Sequence, residues 1–370
     1  MNKGPFRYDQ VGSLLRSAAW KQARTAYEEG TLSFAAYKDI EREEIRKLVE
    51  KQKELGLKAV SDGEYNREYW HYDFIAALGG IETYVAQTKG KFQGTMNKLK
   101  SYYVKDTLTF PADHPFLEDF RYLNSLCRDE VLAKATIPGP NMIYYSGVMN
   151  NPEYKENTAY TSFDTLKQDL IQVYRDAIQA FYAAGCRYLQ FDDTSWGALF
   201  SETQRAALKE KGIDPRRLAK DFAEITVECL KNRPEDMTLT THCCRGNFKS
   251  SWLYEGDYSF VEEEIFQAPF DGFFLEYDSE RAGSFAPIAH LKSGRLVLGL
   301  ITSKHGKLED KEAVKARIQE ASAYLPLDRL CLSPQCGFSS TDDGNTLSKE
   351  EQYAKLAYVK QIAKEVWEDA

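Results

Sequence analysis

Short apolar, β-branched or aromatic runs alternate along this 370-residue chain with amphipathic stretches of helical period. Each run ends in polar or glycine-containing residues, which is typical of parallel strands connected by crossover helices. We identify eight such runs, and eight is the strand number of a closed (β/α)8 barrel, so an α/β fold of the TIM-barrel type is predicted. The predicted strands are 11–14, 59–63, 135–138, 188–192, 239–244, 272–277, 295–302 and 330–334.

The stretches between these runs carry helix start signals. Ser33 precedes a long apolar stripe, and Asp214 followed by Pro215 is a typical N-cap with proline at the first helical position. Ser348 and Glu351 have the spacing of a capping box before the last stripe. Each of these segments is therefore predicted to be a helix.

One connection is longer than a plain βα unit requires. The strand starts at 59 and 135 are 76 residues apart, whereas every other pair of successive starts is separated by 53 residues or fewer. We predict an accessory insertion after strand two at about 71–134, within a single catalytic domain that spans 1–370. Its segment 90–94 is expected to form a hairpin over the barrel mouth, either as a lid or as a solvated cap. As a lid it would offer positive charges and aromatic rings to an anionic ligand. These groups belong to Lys89, Lys91, Lys98, Lys100, Tyr102 and Tyr103.

Charge and composition exclude several functional classes. Lys and Arg number 48 against 56 Asp and Glu, a net charge of −8, which argues against a nucleic-acid partner held by phosphate neutralisation. The longest uncharged run, 135–152, is interrupted by Pro138, Gly139 and Pro140, so it is not expected to span a membrane. No secretory signal is visible at the amino terminus, and we expect a cytoplasmic protein that acts on small molecules. A homo-oligomer is compatible with the sequence.

Seven cysteines, an odd number, indicate fillers, nucleophiles or metal ligands rather than a disulfide framework. The fifth strand ends in His242, Cys243 and Cys244, and side chains alternate along a strand, so His242 and Cys244 face the same side. An imidazole and a thiolate on one face form half of a tetrahedral zinc site.

The other half of that site is expected from neighbouring strand ends. Cys336 follows strand eight and Glu276 ends strand six, where barrel active sites are built. We therefore predict a Zn²⁺ site of His242, Cys244, Glu276 and Cys336. The alternative is that His-x-Cys is a chance or packing pair, in line with Cys186, Cys243 and Cys331, which are interpreted as buried fillers.

Taken together, the motifs resemble the catalytic barrel of cobalamin-independent methionine synthase, in its short form related to the C-terminal half of the long enzyme. The resemblance covers nearly the whole chain, and the motifs occur in the same order as in that family. They are Val11 to Ser13, Gly63 and Glu64 with Arg67, Gly139 with Pro140, Gln190 to Asp193, His242 to Cys244, Glu276, and Pro334 to Gly337.

The resemblance implies a zinc-dependent S-methyltransferase that moves a methyl group from a folate-type donor to the thiol of homocysteine, giving methionine. It implies that Gly12 and Ser13 hold the amino-acid carboxylate. Glu64 and Asp192 would hold the ammonium group, although an acid at a strand end is as often only an N-cap or a partner for an arginine. The family carries a catalytic histidine after strand seven, and here either Lys304 or His305 takes that position.

Departures from the family leave the donor open. The long enzyme has an extra N-terminal barrel that 370 residues do not accommodate, and the family's folate-stacking Trp is replaced by nearby Tyr144 and Tyr145. Two alternatives therefore stand: zinc-thiolate alkyl transfer to another thiol or from a corrinoid donor, and a barrel of the uroporphyrinogen decarboxylase type or one with a structural zinc. A decarboxylase of polycarboxylates would need converging arginines and no thiolate ligands, which makes it the weaker hypothesis.

Overall fold

Six parallel strands form the central sheet of the protein, in a computed structural model that describes residues 3–86, 99–128, 130–154 and 159–370. The sheet has the order β10-β9-β8-β7-β6-β5, so each strand pairs with its neighbour in sequence. The strands are β1 Ala59–Val60, β2 Gly79–Ala86, β3 Leu99–Thr109, β4 Leu132–Ala133, β5 Ala135–Pro138, β6 Tyr188–Asp193, β7 Thr238–Cys243, β8 Gly272–Glu276, β9 Arg295–Ile301 and β10 Leu330–Pro334.

Helices connect the strands and cover the sheet. Ser33, Asp214 and Ser348 each cap the helix that the sequence predicts, and Ser348 with Glu351 forms the capping box. The helices are α1 Ala18–Glu28, α2 Phe34–Glu54, α3 Tyr72–Ala76, α4 Pro115–Cys127, α5 Pro140–Tyr144, α6 Phe163–Ala183, α7 Glu202–Glu210, α8 Pro215–Cys229, α9 Lys311–Ser322 and α10 Lys349–Val366. In the ranges that the structure describes, no helix is both long and apolar enough to cross a membrane.

Six of the eight predicted strands pair in this sheet, and the other two do not. The predicted strand 59–63 is reduced to β1, which pairs in parallel only with β4. The predicted strand 11–14 is wrong, because that segment forms no ladder and its neighbour Tyr8 makes only a single parallel bridge to Leu332. Gly12 explains the irregular path, since a Cβ there would lie 2.6 Å from the methyl group of Thr136. A closed eight-stranded barrel stays a prediction.

The long connection at 71–134 contains α3, the antiparallel pair β2 and β3, and α4. Tyr102 on β3 is buried, whereas Lys100 is partly exposed and pairs with Glu68. The predicted hairpin tip, with Lys89, Lys91 and Lys98, lies outside the described residues. That the connection at 71–134 is an insertion, and that its tip forms a lid, therefore stay predictions.

A fully buried ion pair lies where the chain enters β5. The ammonium of Lys134 is 3.4 Å from Asp9 Oδ1, and neither side chain is exposed to solvent. Lys134 also donates to the carbonyl of Gln10 and lies 4.1 Å from the ring centroid of Phe274, while the Tyr188 hydroxyl donates to Asp9 at 2.7 Å. The amino-terminal segment is thus fixed to the sheet by charge as well as by packing.

We expect Lys134→Met to lower the free energy of unfolding by about 3 to 5 kcal/mol, because Asp9 would remain buried without its counter-charge. Urea denaturation of the variant and the parent measures this loss. Arg46→Met is the matched control, since Arg46 pairs with Glu43 at 2.7 Å with both side chains 47% exposed, and such a pair contributes at most about 1 kcal/mol. Equal losses in the two variants would contradict the prediction.

Candidate metal centre

The four predicted ligands come together at the carboxyl ends of the parallel strands. His242 lies near the end of β7 and Cys244 follows it, Glu276 ends β8, and Cys336 follows β10. One ligand atom from each residue lies within 4.8 Å of the others, and all four residues are buried. The two sulfurs are 3.5 Å apart. Nitrogen, two sulfurs and a carboxylate oxygen are a donor set that zinc prefers, while the role of these residues as ligands stays a prediction.

The imidazole of His242 is oriented by the neighbouring strand. Its Nδ1 lies 3.2 Å from the carbonyl oxygen of Phe274. Because a carbonyl oxygen can only accept a hydrogen bond, Nδ1 carries the hydrogen and donates it. Its Nε2 is buried and has no nitrogen or oxygen partner among the described residues. Burial alone would lower the pKa of His242, but the Cys336 sulfur and the carboxylates of Asp192 and Glu276 raise it to about 9. With Nδ1 bonded to Phe274, Nε2 is the nitrogen that faces the Cys336 sulfur, and a metal would have to displace the proton that the raised pKa keeps there.

The pKa values of Cys244 and Cys336 are shifted in opposite directions. Hydrogen bonding from the Cys244 thiol outweighs burial and, with His242, lowers the pKa of Cys336 to about 5. The same contact and burial raise the pKa of Cys244 well above its usual range, although the backbone amide of Gly246 donates to its sulfur at 3.3 Å. Cys336 is thus the thiolate of the pair, and a thiolate is the form that binds metal.

Glu276 is held by the protein at both oxygens. The Arg245 amide donates to Oε1 at 2.8 Å and the Arg281 guanidinium donates to Oε2 at 2.9 Å. Burial would raise the pKa of Glu276, but the positive charges of Lys304, Arg281 and His242 lower it. The residue is therefore an ionised carboxylate, and it has partners of its own beside the cluster.

A small cavity that is partly open to solvent adjoins the cluster. Asp192 and Glu64 contribute carboxylates to its wall, and Ser13 contributes a hydroxyl. Glu64 accepts a hydrogen bond from Thr136 at 2.9 Å through Oε1, while its Oε2 is buried without a partner in the described ranges. Burial and the nearby Glu64 raise the pKa of Asp192 to about 7, although His242 acts against them. The carboxylates therefore face the cavity from which the sulfurs are reached.

Ser13 is fixed by the loop that carries Cys336. The backbone amide of Ser339 donates to its hydroxyl at 3.3 Å, and a Cβ at Gly337 would lie 1.9 Å from the same oxygen. Gly12 does not line the cavity, but its missing side chain leaves room for Glu64, whose Oε1 would lie 3.3 Å from a Cβ there. Of this predicted pair, only Ser13 lines the cavity.

The structure separates the two residues proposed for the catalytic position after strand seven. Lys304 is buried, its Nζ has no partner within the described part of the chain, and its charge acts on Glu276 and Asp278. His305 is exposed to solvent and is not brought to the cluster. Neither side chain lines the cavity.

Sequence reasoning missed two residues of this region. Trp70 lines the cavity, and Arg281 reaches Glu276 from a 3₁₀ turn five residues further along the chain. The Gly-Glu-x-x-Arg motif ends three residues before Trp70 and was the only local signal. No local sequence signal pointed to Arg281, because its contact with Glu276 depends on the turn that follows β8.

Comparisons with known proteins agree with this architecture. A family model for the catalytic domain of cobalamin-independent synthases matches residues 8–365. The uncharacterized protein YxjG of Bacillus subtilis is 45% identical over 368 residues, which is 99% of this chain and 96% of that protein. The 5-methyltetrahydropteroyltriglutamate–homocysteine methyltransferase of Coxiella burnetii is 22% identical over 355 residues, covering 92% of this chain and 40% of that enzyme.

Solved structures give the same result. A vitamin-B12-independent methionine synthase candidate from Listeria monocytogenes superposes with a TM-score of 0.80 and 39% identity over 99% of both chains. A B12-independent methionine synthase from Shewanella sp. W3-18-1, solved with selenomethionine, gives a TM-score of 0.69 at 17% identity over 96% of both chains, which shows a shared fold. With the family match over nearly its whole length, the chain belongs to the cobalamin-independent synthase catalytic domain family.

Proposed function

We propose that this protein is a zinc-dependent methyltransferase that transfers a methyl group from a folate-type donor to the thiol of homocysteine, giving methionine. The observation that carries the proposal is the juxtaposition of two groups of residues. A buried cluster of one imidazole, two sulfurs and one carboxylate adjoins a cavity whose wall contains Asp192, Glu64 and Ser13. Membership of the cobalamin-independent synthase family supports the same reaction.

His242, Cys244, Glu276 and Cys336 would hold the metal. When bound, Zn²⁺ would stabilise the thiolate form of the substrate, which is the nucleophilic form of sulfur. Nε2 of His242, which has no nitrogen or oxygen partner among the described residues, and the lowered pKa of Cys336 support this role, since metal binding would displace the imidazole proton. Glu276 differs, because Arg245 and Arg281 already hold both of its oxygens, and we infer that it is the exchangeable member of the set.

The amino-acid part of the substrate would be oriented by the other residues that line the cavity. Asp192 and the unpartnered Oε2 of Glu64 would accept hydrogen bonds from the ammonium group, and the Ser13 hydroxyl would donate to the carboxylate. With both ends of the amino acid fixed, its side-chain thiol is directed toward the two cysteines. Orientation of this kind lowers the entropic cost of the transfer.

Methyl transfer from nitrogen forms a carbon–sulfur bond, breaks a carbon–nitrogen bond and leaves a nitrogen that takes up a proton. Lys304 is favoured over His305 as the group at this position, since its ammonium is buried beside Glu276 whereas His305 faces solvent. Because Lys304 does not line the cavity, its charge would act on the site through Glu276, and the proton for the leaving nitrogen would come from solvent.

We also propose that the parallel sheet closes into the predicted eight-stranded barrel of a single catalytic domain at 1–370. Backbone hydrogen bonds join Asp9 to Leu332 at 3.1 Å and Leu14 to Gly63 at 3.1 Å, which places the amino-terminal segment between β10 and β1. On the other side of β1, the amide of Lys134 donates to the carbonyl of Val60 at 2.9 Å. These contacts support closure without a regular ladder at the seam.

A product assay tests the reaction directly. The purified protein is incubated with zinc, homocysteine and, in separate reactions, a methylfolate, a methyl-corrinoid and other methyl donors, and methionine is quantified. Replacement of homocysteine by other thiols tests the acceptor. Methionine formed from the methylfolate supports the proposal, whereas turnover only with another thiol or only with the corrinoid would replace it by the alternative that the sequence left open.

Substitution of Cys336 by Ser is expected to reduce bound zinc and to abolish methyl transfer, because a hydroxyl is not deprotonated as a thiol is. The loss of metal affinity should exceed the roughly 10- to 100-fold that removal of an outer-shell partner costs. Metal analysis after dialysis measures it. Cys331→Ala is the matched control on β10, since burial raises the pKa of Cys331 to about 12 and keeps it a thiol. Full zinc content and turnover in the Cys336 variant would remove this residue from the site.

Replacement of Asp192 by Asn should weaken homocysteine binding by about 3 to 5 kcal/mol while leaving zinc content unchanged, because one charge of a buried pair is lost. Isothermal titration with homocysteine, together with metal analysis, separates the two effects. Asp193→Asn is the control, since Asp193 accepts from Asn141 at 3.0 Å and faces away from the cavity. Homocysteine affinity equal to that of the parent in Asp192→Asn would show that the ammonium group is held elsewhere.

A further inference from the structure

Arg16 is a buried cation beside the candidate site that the proposed reaction does not use. It is 4% exposed and does not line the cavity. Its guanidinium donates four hydrogen bonds, and every acceptor is a backbone carbonyl oxygen. The acceptors belong to Leu14 at 3.3 Å, Ser339 at 2.8 Å, Arg67 at 3.2 Å and Glu64. Burial of a charge is costly unless the charge has partners, and here the partners are all backbone groups.

These carbonyls belong to three segments that each carry a residue of the cavity wall. Leu14 follows Ser13, Glu64 is itself part of the wall, and Ser339 lies in the loop after β10 that carries Cys336. The amide of Ser339 also donates to the Ser13 hydroxyl at 3.3 Å. One guanidinium therefore joins three parts of the wall that are distant from one another in sequence.

The backbone of Glu64 has a conformation that residues with a side chain rarely adopt. Its φ is 61°, in the left-handed region, and that of Gly63 before it is 66°. Such a conformation persists only where the surroundings fix it, and it is frequent at functional sites. The carbonyl of Glu64 accepts hydrogen bonds from the Arg16 guanidinium and, at 3.1 Å, from the amide of Arg67, while its own amide donates to Asp62 at 2.8 Å. Arg16 therefore bonds directly to the strained residue.

The side chain of Glu64 is held by other partners than its backbone. Its Oε1 accepts from Thr136 at 2.9 Å and lies 3.5 Å from a guanidinium nitrogen of Arg67, which also donates to the carbonyl of Thr136 at 2.6 Å. Arg16 in turn holds the carbonyl of Arg67. Burial raises the pKa of Glu64, and the positive charges of Arg67 and Arg16 act against that rise. Both arginines therefore favour the ionised carboxylate, which is the form that attracts an ammonium group.

We propose that Arg16 is a positioning residue for the acceptor substrate. It holds the left-handed backbone at Glu64 against the segment that carries Ser13, and so sets the distance between the carboxylate and the hydroxyl that bind the two ends of one α-amino acid. The inference rests on the proposed function, because it assumes that these two groups bind the acceptor thiol. Arginine suits the task, since its planar fork presents five donors in fixed directions, whereas lysine offers one ammonium on a flexible stem.

Zinc binding should not depend on Arg16. The carbonyl of Gly337, next to Cys336, accepts hydrogen bonds from the Asn247 amide at 2.7 Å and from the Ser303 hydroxyl at 2.9 Å. These contacts fix the backbone beside the sulfur without the guanidinium. Loss of Arg16 is therefore expected to affect the amino-acid pocket and to leave the metal content unchanged.

The test is a calorimetric titration of the zinc-loaded full chain with homocysteine, which requires no turnover. Arg16→Met removes both the charge and the fork, and Arg16→Lys keeps only the charge. We expect the dissociation constant to rise about ten-fold or more in Arg16→Met, because a small misplacement of a binding group is enough for a loss of this size, and to rise less in Arg16→Lys. Zinc content should equal that of the parent in both variants. Arg16→Lys carries the test if Arg16→Met does not fold.

A double-mutant cycle with Glu64→Gln separates positioning from a general loss of stability. If Arg16 acts through Glu64, then Arg16→Lys should raise the dissociation constant far less in the Glu64→Gln background than in the parent, because both changes affect the same contact. A purely structural role would raise it by the same factor in both backgrounds. Additive effects would therefore contradict the proposal.

Arg7→Met is the matched control. Arg7 is 8% exposed, lies in the same amino-terminal segment, and donates to the carbonyls of Asp328 at 2.8 Å and Leu330 at 2.9 Å. These acceptors lie where β10 begins, whereas the cavity adjoins the ends of the strands. Arg7→Met removes comparable bonds to the backbone, and its homocysteine affinity should equal that of the parent.

Parental homocysteine affinity in a folded Arg16 variant, or an equal loss of affinity in Arg7→Met, would overturn the inference and leave the proposed function standing. A parent that binds no amino-acid thiol would overturn both. A parent that binds another amino-acid thiol, such as cysteine, and loses that affinity in Arg16→Lys would refute the proposed substrate alone.

Discussion

The parallel register of β5 to β10 is the constraint on which the candidate site depends. It sets Asp192 beside His242, and His242 beside Phe274, whose carbonyl orients the imidazole. Because successive side chains of a strand face opposite sides, a slip of one residue in β7 would turn both His242 and Cys244 away from Cys336. The same register brings Glu276 beside Gly299, where a Cβ would lie only 2.7 Å from the Cα of Gln335. Glycine at that position lets the loop with Cys336 approach the end of β8.

Burial of so many ionisable groups is costly unless each has a partner, and the partners here are distributed unevenly. Glu276 has Arg281 and the Arg245 amide, and the Cys244 sulfur has the Gly246 amide. By contrast, His242 Nε2 and Glu64 Oε2 are buried without a nitrogen or oxygen partner in the described ranges. Both atoms belong to residues that line the cavity, while other atoms elsewhere in the described chain also lack a partner. In the cavity, a ligand or a metal would supply the missing partner.

The sequence was sufficient to predict that the four proposed ligands come together, because two local rules decide their placement. Alternation along a strand pairs His242 with Cys244, and a parallel sheet brings strand ends such as Glu276 to the same edge. The sequence was insufficient where a contact depends on distant backbone. Trp70 reaches the cavity through pairing with Ser340, 270 residues away along the chain, and no local pattern reports that pairing. The predicted strand at 11–14 failed for a related reason, since the bend at Gly12 depends on its close approach to Thr136.

The choice between Lys304 and His305 shows the limit of motif matching most clearly. Consecutive residues after a strand point in different directions, so a motif shifted by one position predicts two incompatible orientations. Burial distinguishes them, since Lys304 is buried and His305 is exposed to solvent, while the catalytic role of either residue stays a prediction. The segment from Cys336 to Thr341 sets the shape of the cavity. It supplies a sulfur, packs on Ser13 and pairs with the backbone at Trp70. A displacement of that one segment would move Cys336, the contact to Ser13 and the backbone at Trp70 together, so the geometry of the cluster and that of the cavity depend on the same few residues.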